Sequence, residues 1–204
     1  MPGQGNSDVV FWAEIAPPAH IAQFYNGDSV LVDTLVAFIG GGLKAGESTV
    51  VIATAQHLSA LEQGLIRSGI NLAAARSDHR YIPVSADAAL SIFIVNNWPD
   101  DRLFTEFIEG LIARAREKGS RVRAFGEMVA VLWAQGHPGA TVHLEHLWDQ
   151  ICKKQNFSLL CAYPKPGFTE DTAESLAKIC AAHSRVLWSF EGNAEERHLK
   201  ASAP

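Results

Sequence analysis

Apolar and polar positions along the chain follow two alternating patterns. Leu31, Leu35, Phe38 and Ile39 recur at helical spacing and predict a helix over residues 29–41. Asp28 stands at its N-cap position, and the run Gly40-Gly41-Gly42 predicts its stop. Residues 48–54 (STVVIAT) then form a continuous β-branched run, the pattern of a strand covered on both faces. Leu58, Leu61 and Leu65 place a second helix at 58–68, closed by Gly69, and residues 79–84 are a short strand candidate. After Pro99-Asp100, the positions Leu103, Phe104, Phe107, Ile108, Leu111, Ile112 and Ala115 repeat at three and four, so a long helix runs to Gly119. A strand follows at 121–125. Short helices are predicted at 129–134 and 141–153, broken by Gly136-His137-Pro138-Gly139. Residues 157–163 (FSLLCAY) read as another buried strand ended by Pro164 and Pro166, followed by a helix at 170–182 and a strand at 186–190.

Strands that alternate with helices across short connections define an α/β fold, with a mainly parallel central sheet and helices on both faces. The expected organisation is an N-terminal tail at 1–18, one domain at 19–190 and a polar C-terminal tail at 191–204. Phe11, Trp12 and Ile15 are the tail residues expected to dock on the body. The 204 residues are 48% hydrophobic and 19% charged, ordinary for one large globular domain. With 17 basic against 22 acidic residues the net charge is −5, which argues against binding a nucleic-acid backbone directly. Arg114, Arg116, Lys118, Arg121 and Arg123 read as a solvated helix end and the strand after it. Three widely spaced cysteines, with no CxxC, support neither a disulfide framework nor a zinc ribbon, and no cofactor is expected. No segment reads as a signal peptide or approaches the about 20 apolar residues needed to span a bilayer, so a cytoplasmic protein without membrane contact is expected.

The run RVRAFGEMVAVLW (121–133) carries a single carboxylate, Glu127, among apolar residues. A buried carboxylate needs a partner, a raised pKa or a ligand. Its place at the end of a parallel strand, where α/β proteins bind ligands, makes it the leading site residue. The same edge is expected to gather Gln56, His57 and Tyr163 from other strand ends, with His20, Phe24 and Tyr25 lying over it. Trp133 or Trp148 would add an apolar wall. Such a mixture suits a small organic ligand or metabolite better than a polyphosphate. HLEH (143–146) is not expected to hold a metal, because helical zinc pairs sit at i and i+4. Glu145 is instead expected to pair with Arg123 or to cap the Gly139 turn. Cys161 lies in a buried strand and is expected to be inert unless it faces the pocket. There is no G-x-S-x-G nucleophile elbow and no triad to assign.

Residues 41–48 (GGLKAGES) match a phosphate-loop pattern except that Glu47 stands for the lysine. The match fails physically. A phosphate cradle needs a strand before it and a helix after it, and here the order is reversed. The order of elements nevertheless resembles the RecA/KaiC-like ATPase core. On that resemblance HIAQFYNGDSVLVDTL (20–35) occupies the place of the phosphate loop but offers no Gly-Lys-Thr, and Glu127 stands where that core keeps an aspartate for magnesium. The phrases HIAQFY (20–25), FIGGGLKAGE (38–47), IATAQH (52–57), VRAFGEMVAVLW (122–133), LEHLW (144–148) and SLLCAYP (158–164) together resemble the MEDS family of sensory domains, and they span most of the chain. This resemblance implies a degenerate RecA-like fold that senses small molecules, often attached to histidine kinases or DNA-binding regulators. It implies a non-enzymatic signalling module with a separate output partner, and a homodimer is expected. The alternatives are a RecA-like scaffold or adaptor for assembly or kinase contact, and a residual nucleotide-binding ATPase.

Overall fold

In the computed structural model, described for residues 12, 15–117, 121–167, 173–190 and 193–196, the apolar runs become the strands of one sheet. In chain order the elements are β1 (Ala19–Tyr25), α1 (Asp28–Lys44), β2 (Ser48–Ala53), α2 (Ala55–Arg67), α3 (Leu72–Ser77) and β3 (Tyr81–Ser85). Then come α4 (Ala86–Phe93), the minimal hairpin β4 (Ile94–Val95) and β5 (Trp98–Pro99), α5 (Asp101–Arg116), β6 (Val122–Gly126) and α6 (Met128–Ala134). The chain continues with α7 (Pro138–Gln155), β7 (Ser158–Pro164), a 3-10 turn, α8 (Ala173–Ala182), β8 (Arg185–Phe190) and β9 (Asn193–Glu196). The sheet order is β3-β2-β6-β7-β1-β8-β9. Its first six strands are parallel and β9 is antiparallel to β8.

Successive side chains of a strand point to opposite faces, so each central strand feeds two cores. Ile21, Val51, Phe125 and Leu160 pack under α1, α2 and α3 with Leu35, Phe38 and Leu65. Ala22, Phe24, Val50, Ala124 and Leu159 pack on the other face with Phe104, Ile108, Leu144 and Trp148 of α5 and α7. This is the expected three-layer α/β arrangement. Trp12 and Ile15 are buried in the first core, with Trp12 4.9 Å from the Phe38 ring, whereas Phe11 and the far ends of both tails lie outside the described residues. Among the described residues no helix is long and apolar enough to cross a membrane.

Several boundaries differ from the sequence reading, each for a physical reason. Residues 19–25 are a central strand rather than a lead-in to the first helix, fully buried despite His20 and Gln23 interrupting the apolar run. The chain also forms α3 and α4, which are too short to show a helical period. Helix α1 runs through the three glycines to Lys44 instead of stopping at them. A Cβ on Gly42 would sit 2.9 Å from Arg123 Cδ, and one on Gly40 would sit 3.2 Å from Leu65 Cδ2, so these glycines admit close neighbours. The stop comes at Gly46, whose φ of 84° lets Glu47 N–H reach back 2.9 Å to the Gly42 carbonyl. Arg123 is not part of a solvated basic group. It is buried and pairs with Glu47, while its Nη1 donates to the Phe38 carbonyl at 3.0 Å. Asn193–Glu196 extends the sheet where a polar tail is expected.

Candidate functional site

Strands β1, β2 and β6 end on one edge of the sheet, and their last residues lead into α1, α2 and α6. At Gly126, which ends β6, the Trp148 ring approaches so closely that a Cβ there would meet it at 3.2 Å. The next residue, Glu127, turns the chain into α6 and is buried. Its Oε2 accepts from Thr54 N–H at 2.8 Å, and its Oε1 lies 2.6 Å from His57 Nδ1. Thr54 caps α2, which fixes His57 in the first turn of that helix. The second ring nitrogen of His57 lies 3.6 Å from Asp28 Oδ1 and, although buried, has no hydrogen-bond partner among the described residues. Asp28 is the first residue of α1, is largely exposed, and accepts from Gln56 Nε2 at 3.0 Å. The hydrogen bond with Glu127 raises the His57 pKa above its ordinary value against the opposing effect of burial, and Asp28 adds to the rise. Burial, then the charges of Glu127 and Asp28, push the Tyr25 hydroxyl up as well, so it stays protonated.

The structure therefore brings Tyr25, Gln56, His57 and Glu127 together, as the sequence suggested, and adds Asp28 and Thr54. The other predicted residues do not join that cluster: Phe24 and Tyr163 sit at the same strand ends but on the opposite face of the sheet. Ala22 pairs with Cys161, and Cys161 with Gly126, so His20 lies about three register positions below Glu127. At the rise of a strand that is roughly 10 Å, too far for the two side chains to meet. His20 falls on the opposite face from Tyr25, together with Phe24, which stacks between Tyr163 and Trp188 at 5.4 and 4.5 Å. Trp133 closes α6 and packs into the α5–α7 core.

His20 and Tyr163 belong to a second polar centre, buried between β1, β7 and α7. His20 Nε2 is 3.2 Å from Glu145 Oε2 and 3.5 Å from Cys161 Sγ. The Tyr163 hydroxyl donates a short hydrogen bond to Glu145 Oε1, and His183 Nε2 lies 3.5 Å from Glu145 Oε2. Glu145 thus neither pairs with Arg123 nor caps the Gly139 turn. Burial opposes a charge on His20, but Asp149 and Glu145 outweigh it and raise its pKa. Burial lowers His183 to about 4, so that ring is neutral near pH 7. One signal for this centre was present in the sequence. Thr141, Leu144, Glu145, Trp148, Ile151 and Cys152 share the buried stripe of α7, so Glu145 occupies an apolar position of an amphipathic helix. His143 and His146 lie off that stripe; His143 pairs with Asp101 at 2.7 Å and His146 with Gln150.

Two surface cavities open elsewhere, one beside Leu90, Leu132 and His137, the other beside Lys44, Asn71 and Arg80; neither is lined by Glu127 or His57. The connection between β1 and α1 is the dipeptide Asn26-Gly27, with Gly27 at a φ of 81°. Helix α1 then begins on an aspartate, with no lysine in the turn. Residues 41–48 connect a helix to a strand, as the rejection of the phosphate-loop match required.

The sheet order and the helices on both faces are those of the RecA/KaiC-like α/β class. A Pyrococcus horikoshii OT3 protein from a structural project aligns over 96% of this chain and 94% of its own, with a TM-score of 0.65 at 9% identity. A KaiC-like protein of the same archaeon aligns over 88% of this chain and 76% of its own, with a TM-score of 0.60 at 12% identity. At those identities the likeness concerns the fold alone. Within that class the chain belongs to the MEDS family, the MEthanogen/methylotroph, DcmR Sensory domain, whose profile matches residues 19–184. No curated protein matches the sequence.

Proposed function

We propose that this protein is a non-enzymatic, cytoplasmic sensory module that binds a small organic molecule at the His57–Glu127 edge and relays its presence to a separate output partner. A histidine kinase or a transcriptional regulator is the class of partner that suits a sensory domain of this family. One observation carries the reading: His57 Nε2 is buried, lacks a hydrogen-bond partner among the described residues, and lies beneath the exposed Asp28–Gln56 bond. With Nδ1–H donated to Glu127, a protonated His57 offers Nε2–H to an acceptor. A carbonyl, carboxylate or hydroxyl oxygen that takes the place of Asp28 would release the first residue of α1 from Gln56 in the first turn of α2. Ligand contact at one nitrogen thereby becomes a shift between two helices, the kind of two-state element a sensor needs.

The absence of a lysine from the Asn26-Gly27 turn, and the negative charge of Asp28 at the start of α1, favour an organic ligand over a polyphosphate. A thermal-shift panel of short organic acids, alcohols, halogenated one- and two-carbon compounds and nucleotides, with and without magnesium, tests this. Ligand at a hundred times its Kd adds about 2.7 kcal/mol of stability. At about 2–4 °C per kcal/mol for a chain of this size, a hit should raise Tm by roughly 5–10 °C. The shift should vanish in His57→Ala and in Glu127→Gln. Magnesium-dependent stabilisation by a nucleotide, with hydrolysis lost in Glu127→Gln, would replace this reading with the ATPase one. No shift from any organic compound would leave the scaffold reading.

A further inference from the structure

The second polar centre is distinct from the proposed sensing edge and is built from donors that no sequence motif links. We propose that His20, Glu145, Cys161 and His183 form a buried, four-coordinate site for a divalent transition-metal ion of the zinc class. The four come from β1, α7, β7 and the turn between α8 and β8, and one ligand atom from each lies within 4.8 Å of the others. Zinc binds nitrogen and carboxylate oxygen at about 2.0–2.2 Å and sulfur at about 2.3 Å, so the edges of a tetrahedral site are roughly 3.3–3.7 Å. The measured edges from His20 Nε2 to Glu145 Oε2, from His20 Nε2 to Cys161 Sγ and from His183 Nε2 to Glu145 Oε2 are 3.2, 3.5 and 3.5 Å.

Orientation supports the same reading. His20 Nδ1 lies 3.2 Å from the Ala182 carbonyl, and His183 Nδ1 lies 2.6 Å from the Ile179 carbonyl. A proton on each Nδ1 satisfies those carbonyls and turns both Nε2 lone pairs toward the centre, the outer-shell arrangement that fixes metal-binding histidines. Tyr163 occupies Glu145 Oε1 and leaves Oε2 facing inward. Among the described residues, Glu145 Oε2 and His183 Nε2 are buried without a hydrogen bond, a condition that normally has a specific explanation. An ion at the centre satisfies both.

The donor set narrows the choice of ion. Two imidazoles, a carboxylate and a thiol suit zinc and its neighbours, whereas magnesium and calcium take oxygen ligands. On binding, the Cys161 thiol forms the metal–sulfur bond and gives its proton to solvent, and the two negative ligands balance the ion's charge. All four side chains are buried, so no coordination position is open to a substrate, and the site is of the closed, structural kind. The ion would fasten the turn before β8 to the sheet and to α7.

The full chain, purified under reducing conditions, stripped with a chelator and titrated with cobalt(II), tests the proposal. One equivalent per chain should give the strong visible bands of tetrahedral cobalt and a near-ultraviolet thiolate-to-cobalt band, displaced by zinc, with a rise in Tm. Cys161→Ser should lose the thiolate band. Glu145→Gln and His183→Gln should weaken cobalt binding at least about tenfold. Cys152→Ser should leave the spectrum unchanged, because that buried thiol donates to the Phe157 carbonyl at 3.1 Å and is not one of the four. Failure of the folded wild type to take up stoichiometric cobalt or zinc overturns the proposal without recourse to any variant. So does a thiolate band that survives Cys161→Ser.

Discussion

Replacing Glu127 with glutamine keeps the shape of the side chain and removes its charge, which isolates what the carboxylate does at the sheet edge. In the wild type its two oxygens serve two donors, Thr54 N–H at 2.8 Å and His57 Nδ1 at 2.6 Å. An amide has a single acceptor oxygen. If that oxygen stays on Thr54 N–H, the amide NH2 must face an unprotonated Nδ1, so His57 changes tautomer and loses support for its charged form. Two charge-assisted hydrogen bonds, each worth about 1.5–3 kcal/mol, become two neutral ones worth about 1 kcal/mol. The expected loss is about 2 kcal/mol near pH 6.

That loss depends on pH, and its sign follows from His57. The bond to Glu127 raises the folded-state pKa of His57 above 6.5. The folded protein therefore holds the proton more tightly than the unfolded chain. The stabilisation is fully present below the unfolded value and fades as pH rises through the raised folded value. Tyr25 does not interfere, because burial and the charges of Glu127 and Asp28 keep it protonated. His20 and His183 titrate in wild type and variant alike and cancel in the difference. Urea denaturation of both proteins between about pH 6 and pH 9 should give a gap of about 2 kcal/mol that narrows by roughly half at the alkaline end. NMR titration of the His57 ring should place its pKa above 6.5 in the wild type and lower it in Glu127→Gln. A gap that does not change with pH, or a wild-type His57 titrating at or below 6.5, refutes the pairing.

Four further outcomes test the frame around the site. Glu47→Gln removes the carboxylate charge beside the buried Arg123 guanidinium, leaving it an amide oxygen with the Phe38 carbonyl and ring, and should destabilise by about 3 kcal/mol in urea denaturation, with Arg123→Met added in the double variant recovering most of it. Gly42→Ala should lose about 1–3 kcal/mol despite its better helix propensity, because the new Cβ lies 2.9 Å from Arg123 Cδ. Gly110→Ala, exposed in α5 with nothing within 4 Å of the added Cβ, should gain about 0.5–1 kcal/mol, and equal effects at the two glycines would contradict the close-approach reading. Asn156, left-handed at a φ of 51° after α7, should tolerate glycine within a few tenths of a kcal/mol but lose about 1–2 kcal/mol on change to valine, a difference that thermal denaturation resolves.

The contrast between what the sequence revealed and what it concealed has a single physical origin. Runs such as STVVIA in β2 and the three-and-four repeat of α5 were legible because both faces of a covered strand, or one face of a long helix, must be apolar whatever lies beyond them. Glu127 was legible for the complementary reason: a lone carboxylate in an apolar run has to be met by something. The strand β1 was not legible, because His20 and Gln23 break its apolar pattern, and they are tolerated there because side chains and a carbonyl of other elements answer them. Gln23 Nε2 donates to Thr34 Oγ1 at 2.8 Å, and His20 meets Glu145 and the Ala182 carbonyl. With β1 taken as a lead-in, His20, Phe24 and Tyr25 collapse onto one edge. With β1 a seven-residue strand, alternation sends Tyr25 toward Glu127 and His20 toward Glu145. The division of the expected pocket into two polar centres on opposite faces of the sheet thus follows from strand alternation, in the misassigned β1 for His20 and Tyr25 and in β7 for Tyr163. Glu145 in the buried stripe of α7 and Cys161 between Leu160 and Ala162 in β7 are unremarkable taken singly. They gain meaning once the β1–β7 pairing sets His20 beside them.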